Sequence, residues 1–153
     1  MNKLGILIIS PVCEAFVDDA RDLILEGFKE RFGFIDYSLN PDLTDIMTTY
    51  KQPGTTFLTG IIDGTLIATG AIAYEEAGVG RIVRMSVEKN YRRRGIAKRM
   101  LDRLEAKALE MGYQQLVLET HEGWQSAVGF YSANGYKIER YEGERAHFRK
   151  QLG

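Results

Sequence analysis

Apolar residues recur along this chain with two different periods, and each change of period marks a boundary between elements. Short apolar or β-branched runs predict strands at residues 4–9, 56–62, 65–74, 81–87, 115–120, 136–141 and 146–151. Apolar residues at helical spacing predict helices at residues 18–32, 41–50, 94–111 and 125–133. This order favours a single α+β domain over residues 1–153, a three-layer arrangement with a mixed, mostly antiparallel sheet flanked by helices.

Two connections indicate parts of the sheet topology. Asp63-Gly64 lies between two runs rich in β-branched residues and is a strong signal for a two-residue hairpin. One helix joins the strands at residues 81–87 and 115–120, so a short crossover should make these strands parallel. We therefore expect a parallel pair within a sheet that is otherwise mostly antiparallel.

The junction between the strand at residues 81–87 and the helix after it is rich in basic residues. These residues are Lys89, Arg92, Arg93 and Arg94, and Gly95 follows them directly. A helix N-terminus presents backbone N–H groups without helical partners and the positive end of the helix dipole, so it can bind phosphate groups. Gly95 has no Cβ and Ala97 carries only a methyl group, which leaves room for a phosphate beside the backbone.

Each part of this junction also has an ordinary explanation. A run of three arginines is usually a solvated basic face, and a glycine before a helix is usually a turn. The order of strand, basic loop, small residues and amphipathic helix favours a pyrophosphate site over these explanations.

Two blocks of sequence resemble a known family. Arg92-Arg93-Arg94-Gly95-Ile96-Ala97 resembles the Arg/Gln-x-x-Gly-x-Gly/Ala signature of the GNAT superfamily of N-acetyltransferases, which holds the pyrophosphate of acetyl-coenzyme A. The segment Ala127-Val-Gly-Phe-Tyr131-Ser-Ala-Asn-Gly135-Tyr136 is similar to the later Ala-x-x-x-Tyr-x-x-x-Gly-Phe motif of that superfamily. The resemblance covers residues 81–136, and it implies the GNAT fold and an acetyl-coenzyme A-dependent N-acetyltransferase.

The resemblance implies where acetyl-coenzyme A binds. It implies that the two parallel strands splay apart and that the pantetheine arm enters between them, pairing with the backbone of Met85, Ser86 and Val87. It also implies that the pyrophosphate is held by the loop and first helical turn, which comprise Arg92, Arg93, Arg94, Gly95, Ile96, Ala97 and Lys98. No metal is implied.

The resemblance also implies catalytic roles, with direct attack of the amine in a ternary complex. Tyr131 occupies the position of a tyrosine that commonly protonates the coenzyme A thiolate, so we predict that it is the general acid. Glu119, at the end of the second cleft strand, is our candidate for the base that takes the amine proton. His121, Glu75 and Glu76 are alternatives for that base.

Two features bear on the acceptor and on cofactor contacts. Where the family often has an asparagine or glutamine that bonds the pantetheine, this chain has Trp124; either Gln125 substitutes with a shift in register, or that contact is missing. In the GNAT arrangement the first two helices and their connection flank the acceptor site. The residues there that either shape substrate choice or belong to the core are Phe32, Phe34, Ile35, Asp36 and Tyr37.

Charge is distributed unevenly along the chain. The net charge is −1, but residues 1–80 hold five Lys and Arg against twelve Asp and Glu, whereas residues 81–153 hold fifteen against nine. The basic second part suits a polyanionic cofactor, and the acidic first part either attracts a cationic amine or is merely solvated.

Composition limits the cellular setting and the classes of site. No apolar run is long enough for a membrane span or a signal-peptide core, so we expect a cytoplasmic protein. Cys13 is the only cysteine, so an intrachain disulfide is impossible. Two histidines and one cysteine without paired spacing argue against a zinc site.

The acceptor and two rival functions stay open at this stage. The acceptor is either a small-molecule amine or a protein amine, and a homodimer is possible. One rival is an acyl-coenzyme A-binding sensor or interaction module without turnover. The other is nucleic-acid binding through residues 92–94, which is disfavoured because the basic cluster is short and the overall charge is slightly negative.

Overall fold

The computed structural model describes residues 5–32 and 41–153, which form seven strands and four α-helices. The strands are β1 (Leu7–Pro11), β2 (Thr56–Ile62), β3 (Thr65–Glu76), β4 (Val79–Val87), β5 (Gln115–His121), β6 (Lys137–Glu142) and β7 (Arg145–Gln151). The helices are α1 (Val17–Phe32), α2 (Ile46–Thr49), α3 (Ile96–Glu110) and α4 (Gln125–Ala133). Within these ranges, every helix is too short or too polar to cross a bilayer.

All seven strands belong to one sheet, in the order β1-β2-β3-β4-β5-β7-β6. The pair β4–β5 is parallel, and each of the other neighbouring pairs is antiparallel. Because α3 connects β4 to β5, the parallel pair follows from a helical crossover. The predicted fold class, a mixed and mostly antiparallel sheet flanked by helices, is confirmed.

The hairpin predicted at Asp63-Gly64 joins β2 to β3. Both residues have positive φ, 49° and 77° respectively, and the flanking Ile62 and Thr65 are paired. Positive φ at both central residues is the geometry of a type I′ turn, whose twist matches that of the two strands.

Each face of the sheet has its own apolar core. On one face, the buried stripe of α3, with Met100, Leu101 and Leu104, packs with residues from both halves of the sheet and with Tyr131 of α4. On the other face, α1 and α2 pack over the first half of the sheet, where Ala20, Ile24, Ile46, Phe57 and Ala71 are buried together. Alternate side chains along each strand point to opposite faces, so one strand such as β2 serves both cores.

A charged cluster fastens α3 to the last strand. Lys150 of β7 contacts Glu105 of α3 at 3.0 Å and also donates to the carbonyl of Asn134, which follows α4. The Tyr136 hydroxyl donates to the same Glu105 carboxylate at 2.8 Å. Burial and this hydrogen bond raise the pKa of the Tyr136 phenol. One carboxylate of α3 thus accepts from two residues that follow α4 in the chain.

The predicted end of the first strand was wrong. The first strand was expected to stop before Ser10-Pro11, but β1 continues through Pro11, which pairs with Leu58. This is possible because β1 is an edge strand and Pro11 is its last residue, so the missing proline N–H costs no interior ladder bond. The predicted start of that strand, Leu4, lies outside the described residues.

The single helix predicted at residues 41–50 is two short pieces. A 3₁₀ turn spans Pro41–Asp45 and α2 follows at Ile46. Asp45 has φ of −143° and ψ of 77°, which is not helical, and its carboxylate caps α2 by accepting from the Thr48 N–H. An aspartate here competes for backbone donors, so it starts a new helix and interrupts the old one.

Gly70 is expected to be intolerant of any side chain. A Cβ at Gly70 of β3 would lie 2.8 Å from Leu104 Cδ1 and 2.9 Å from Met100 Cγ and Met85 Sδ. We predict that Gly70→Ala lowers the free energy of unfolding by about 1–3 kcal/mol, because the α3 core must move apart. Urea denaturation followed by circular dichroism measures this.

The control is Gly129→Ala in α4, where no described atom lies within 4 Å of the added Cβ. Alanine is favoured over glycine inside a helix, so this variant should unfold at equal or higher urea concentration. Equal stability of wild type and Gly70→Ala would contradict the packing described here.

Candidate active site

The pairing of β4 with β5 ends partway along both strands. Within the described residues, these strands pair only from Val79 to Arg81 against Gln115 to Val117. Beyond that point β4 stays paired with β3 as far as Val87, and β5 stays paired with β7 as far as His121. We call the gap between residues 82–87 and 118–121 the fork. Its walls are strands, so its shape is held by the sheet on both sides.

A β-bulge in β4 lines the fork. Thr69 pairs with Ser86 and Ala71 pairs with Val83, so β4 has one residue more than β3 over this interval. Arg84 within the bulge has φ of 58°, a left-handed conformation that non-glycine residues rarely adopt. The Thr69 hydroxyl donates to the Arg84 carbonyl at 2.8 Å and holds the bulged backbone.

The loop after β4 turns the chain tightly into α3. The Glu88 carboxylate accepts from the Asn90 N–H at 2.9 Å, and a 3₁₀ turn follows at Lys89–Tyr91. Arg93 and Gly95 have φ of 62° and 78°, so two left-handed residues lie just before the helix. Gly95 is the N-cap of α3 and contributes no side-chain cap. The amides of the first turn are therefore left for another acceptor.

This loop has the properties of an anion site. Gly95 is exposed, and no described atom lies within 4 Å of where its Cβ would be. Exposed cationic side chains surround it, because Arg93, Arg94 and Lys98 all point away from the core. Successive N–H groups in left-handed turns at a helix N-terminus form a concave cradle for phosphate. The residues present fit a pyrophosphate.

The predicted loop residues divide into two sets by what their side chains do. Arg92 is part of the scaffold: its Nε donates to the Val87 carbonyl at 2.9 Å, and its other nitrogens contact Glu30 of α1 at 3.0 and 3.2 Å. Ile96 is 1% exposed and belongs to the α3 core. Either residue can contact a ligand through its backbone. Arg94, whose guanidinium lies 5.7 Å from the Tyr91 ring centre, remains at the surface.

Tyr131 lies on α4 on the same sheet face as α3. Its ring contacts those of Phe130, Tyr136 and Phe148, with centroids 5.1 to 6.1 Å apart, and the residue is 9% exposed. Edge-to-face aromatic packing of this kind fixes the orientation of the phenol ring. Its role as a general acid stays a prediction.

Glu119 lies on β5 two residues beyond the last pair with β4, at the start of the fork. Leu116 and Leu118 belong to the α3 core, so strand alternation puts Glu119 on the opposite face. Its carboxylate is 3.4 Å from His147 Nε2 and 3.6 Å from Arg145 Nη1, both on β7. The two proposed catalytic groups therefore lie on different faces of the sheet.

The alternative bases are engaged elsewhere. His121 accepts from the Gly123 N–H through Nδ1 at 3.0 Å, and its Nε2 lies 3.1 Å from Glu144, so the basic lone pair is already used. Hydrogen bonds from Arg81 hold the pKa of Glu75 below its ordinary value, which makes it a weaker base. Glu76 pairs with Val79, at the closed end of the β4–β5 pair. Glu119 is the carboxylate nearest the open part of the fork among these candidates.

His147 had no signal in the sequence as a partner of Glu119. The two residues are neighbours because β5 pairs with β7 in a register that places Glu119 opposite His147. That register joins segments about 28 positions apart, and no local motif encodes it.

Trp124, the departure from the family pattern, lies at the N-cap of α4. Its ring is tilted against that of His121 with centroids 5.7 Å apart, and Gln125 is the first residue of the helix. Of the predicted acceptor residues, Phe34, Ile35, Asp36 and Tyr37 lie outside the described residues, and the Phe32 side chain is likewise not described.

Sequence reasoning also missed a charged cluster on the bulge. Two nitrogens of Arg84 contact the Asp42 carboxylate at 2.9 and 2.5 Å, and the Tyr50 hydroxyl donates to the same carboxylate at 2.7 Å. Burial raises the pKa of Asp42, but hydrogen bonds from Arg84 and Tyr50 outweigh it, so the net pKa is lowered. Burial and the bond to Asp42 raise the pKa of the Tyr50 phenol. Because the pKa of Asp42 is lowered, the Arg84–Asp42 pair is ionised at neutral pH.

Comparisons with known proteins find related sequences. The family model for the acetyltransferase (GNAT) family matches residues 17–136. The IAA acetyltransferase of Azospirillum brasilense is 31% identical over 124 residues, which are 80% of this chain and 80% of that protein. The N-acetylaspartate synthetase of Rattus norvegicus is 31% identical over 117 residues, which are 75% of this chain and 38% of that protein. The chain thus spans well under half of the synthetase.

The fold is also shared with solved structures. The PaiA N-acetyltransferase from Thermoplasma acidophilum, solved in complex with coenzyme A, has a TM-score of 0.83. The alignment covers 96% of this chain and 99% of that chain at 17% sequence identity. At this identity the likeness shows a common fold.

Proposed function

The chain belongs to the GNAT family of acetyltransferases, and we propose that it transfers the acetyl group of acetyl-coenzyme A to an amine of a small molecule or a protein. The family resemblance carried by the two sequence motifs is confirmed by the match over residues 17–136. The observation that carries the proposal is the position of the anion cradle at residues 92–98, at the end of the same strand whose bulge lines the fork.

We propose that the cradle and the fork hold different parts of acetyl-coenzyme A. The amides of residues 92–98 would take the pyrophosphate, with Arg93, Arg94 and Lys98 adding positive charge. The β4 backbone at Met85, Ser86 and Val87 would pair with the pantetheine amides as a neighbouring strand does. The Thermoplasma acidophilum protein that shares this fold was solved in complex with coenzyme A, which supports coenzyme A as the class of ligand.

Acetyl-coenzyme A supplies a thioester whose carbonyl carbon accepts the amine. A backbone N–H of residues 85–87 would stabilise the negative charge that develops on the carbonyl oxygen, and one such donor is typically worth about 10²–10³ in rate. Glu119 would accept the proton that the amine loses, directly or through water. Tyr131 would return a proton to the sulfur as the carbon–sulfur bond breaks. After the step Glu119 would carry one extra proton and Tyr131 would lack one, and proton exchange with water would restore both groups before the next turnover.

The acceptor is proposed to enter from the face that carries Glu119. The family relatives include proteins named for acetylation of an amino acid and of IAA, which supports a small-molecule acceptor. On this face the Glu119 carboxylate lies beside Arg145 and His147 of β7 and is 37% exposed, so an amine can approach it from solvent. A protein amine remains the second acceptor class.

Measurements of acetyl-coenzyme A binding and of acetyl transfer distinguish the proposed enzyme from a sensor that binds the cofactor without turnover. We expect calorimetry to detect acetyl-coenzyme A binding, and a thiol-release assay with a panel of amines to detect transfer. Arg94→Glu should weaken coenzyme A binding by about 10- to 100-fold, because a charge-assisted contact with phosphate becomes a repulsion. Binding without thiol release for any amine would favour the sensor.

The matched control for that variant is Arg103→Glu. Arg103 is exposed on α3, eight residues after the N-cap Gly95 and thus about 12 Å along the helix from it. The same change in net charge there should alter the dissociation constant by less than about threefold. Equal losses in both variants would mean that the loop makes no specific contact, and the cradle assignment would then be wrong.

Tyr131→Phe tests the general acid. The variant removes the phenolic proton donor but keeps the aromatic packing, so kcat should fall by about 10–10³ with coenzyme A affinity nearly unchanged. Tyr136→Phe is the control, because its hydroxyl bonds Glu105 in the scaffold. That control should lower stability while sparing kcat. A folded Tyr131→Phe enzyme with normal kcat would remove Tyr131 from the mechanism.

Glu119→Gln tests the base. An amide cannot accept the amine proton, so kcat/KM near neutral pH should fall by about 10²–10⁴, and the loss should shrink at high pH where more free amine is present. Glu142→Gln is the control, because Glu142 also lies 3.5 Å from His147 Nε2. If both variants lose activity equally, the effect acts through His147, and Glu119 is not the base.

A further inference from the structure

Arg84 is an unusual residue to find at the bulge. Its φ of 58° is the left-handed conformation, in which glycine fits without strain and arginine does not. The residue is nevertheless held there by contacts at both ends, since its carbonyl accepts from Thr69 and its guanidinium reaches Asp42. A strained residue that is this strongly restrained suggests a task for its side chain.

The guanidinium connects four separate parts of the fold. It forms a two-pronged contact with Asp42 in the 3₁₀ turn after the undescribed segment, and Asp42 in turn accepts from Tyr50, which follows α2. It also lies 5.8 Å from the centre of the Phe28 ring on α1. The Arg84 and Asp42 side chains are 15% and 20% exposed. Such a partly buried pair is far less screened by salt than a surface pair.

The cluster of Arg84, Asp42 and Tyr50 lies on the α1 face of the sheet. The proposed cofactor cradle lies at the end of the same strand, β4. Val83 packs into the α1 core, whereas Met85 and Val87 pack against the α3 core, so the bulge is the place where β4 changes which residues face each side. Strand pairing holds the walls of the fork, and the α3 core holds the bulge from one face of the sheet. The Arg84–Asp42 pair supplies the restraint from the other face.

We propose that Arg84 is a positioning residue, which, through Asp42 and Tyr50, fixes the bulge so that the backbone donors of Met85–Val87 face into the fork. The proposal rests on the proposed acetyl transfer, because those donors are the groups expected to polarise the thioester. It extends that function by tying the catalytic backbone to the acceptor side of the molecule. The backbone of Met85–Val87 would contact the substrate, and Arg84 would act by holding that backbone in place.

Two ion pairs on β4 make a matched comparison. Asp42 and Glu75 each hold an arginine of this strand with two contacts, at 2.5 and 2.9 Å for Arg84 and at 2.7 and 3.1 Å for Arg81. Arg81 lies at the last β4–β5 pair, before the fork. Asp42→Asn and Glu75→Gln therefore remove the same charge from equivalent contacts, one at the bulge and one outside it.

Kinetic and binding measurements on the Asp42 variant should show that kcat falls while the affinity for coenzyme A stays nearly unchanged. We expect Asp42→Asn to lower kcat by about 10- to 100-fold with the coenzyme A dissociation constant within about twofold of wild type, and Glu75→Gln to leave kcat within about twofold. Arg84→Lys keeps the positive charge but loses the pair of guanidinium donors that contact Asp42, so it should resemble Asp42→Asn. Arg84→Gly relieves the backbone strain and should show the same kcat loss even if it is as stable as wild type.

Amide hydrogen exchange supplies a readout that does not depend on turnover. In Asp42→Asn, the amides of residues 85–87 should exchange at least about tenfold faster than in wild type, while Glu75→Gln should leave them unchanged. If wild type releases no thiol with any amine, the proposed function fails and this exchange comparison alone decides the positioning role. Normal kcat and normal exchange in folded Asp42→Asn, or equal effects in Glu75→Gln, would overturn the proposal.

Discussion

The parting of β4 from β5 is the constraint on which the rest of this structure depends. Parallel pairing lasts for three residues of each strand, after which both strands need other partners for their backbone groups. β3 and β7 satisfy one side of each strand as far as Val87 and His121. The sides that face the fork have no strand partner among the described residues, and we propose that an extended ligand arm with amide groups pairs with them as a neighbouring strand would.

The two cores have different extents, and this difference gives the fork two unlike faces. The core under α3 and α4 runs through both halves of the sheet, from Leu58 of β2 to Phe148 of β7. The core under α1 covers the first half, which leaves the other face of β5 and β7 to charged residues such as Glu119, Arg145 and His147. One face therefore offers an apolar wall with aromatic rings, and the other offers acids and bases.

The basic loop combines scaffold and binding groups in one short stretch. Arg92 is paired with Glu30 and with the Val87 carbonyl, so its charge joins the loop to α1 and is partly neutralised. In the proposed site, the attraction for an anion would then come from the first-turn amides and from Arg93 and Arg94 at the surface. A count of arginines alone would overstate the positive charge that a bound phosphate meets.

The sequence by itself determined the element order, the Asp63-Gly64 hairpin, the parallel pair and the tight basic loop before α3, because each depends on residues close together in the chain. Local signals fail where contacts are long-range. Asp42 meets Arg84 across 42 positions and Glu119 meets His147 through strand register, and neither pair has a sequence signature. Strand pairing and the cost of burying a charge without a partner brought these residues together. Only the tertiary structure therefore determined the bulge in β4, the Arg84–Asp42 contact that holds it, and the charged face of the fork that carries Glu119.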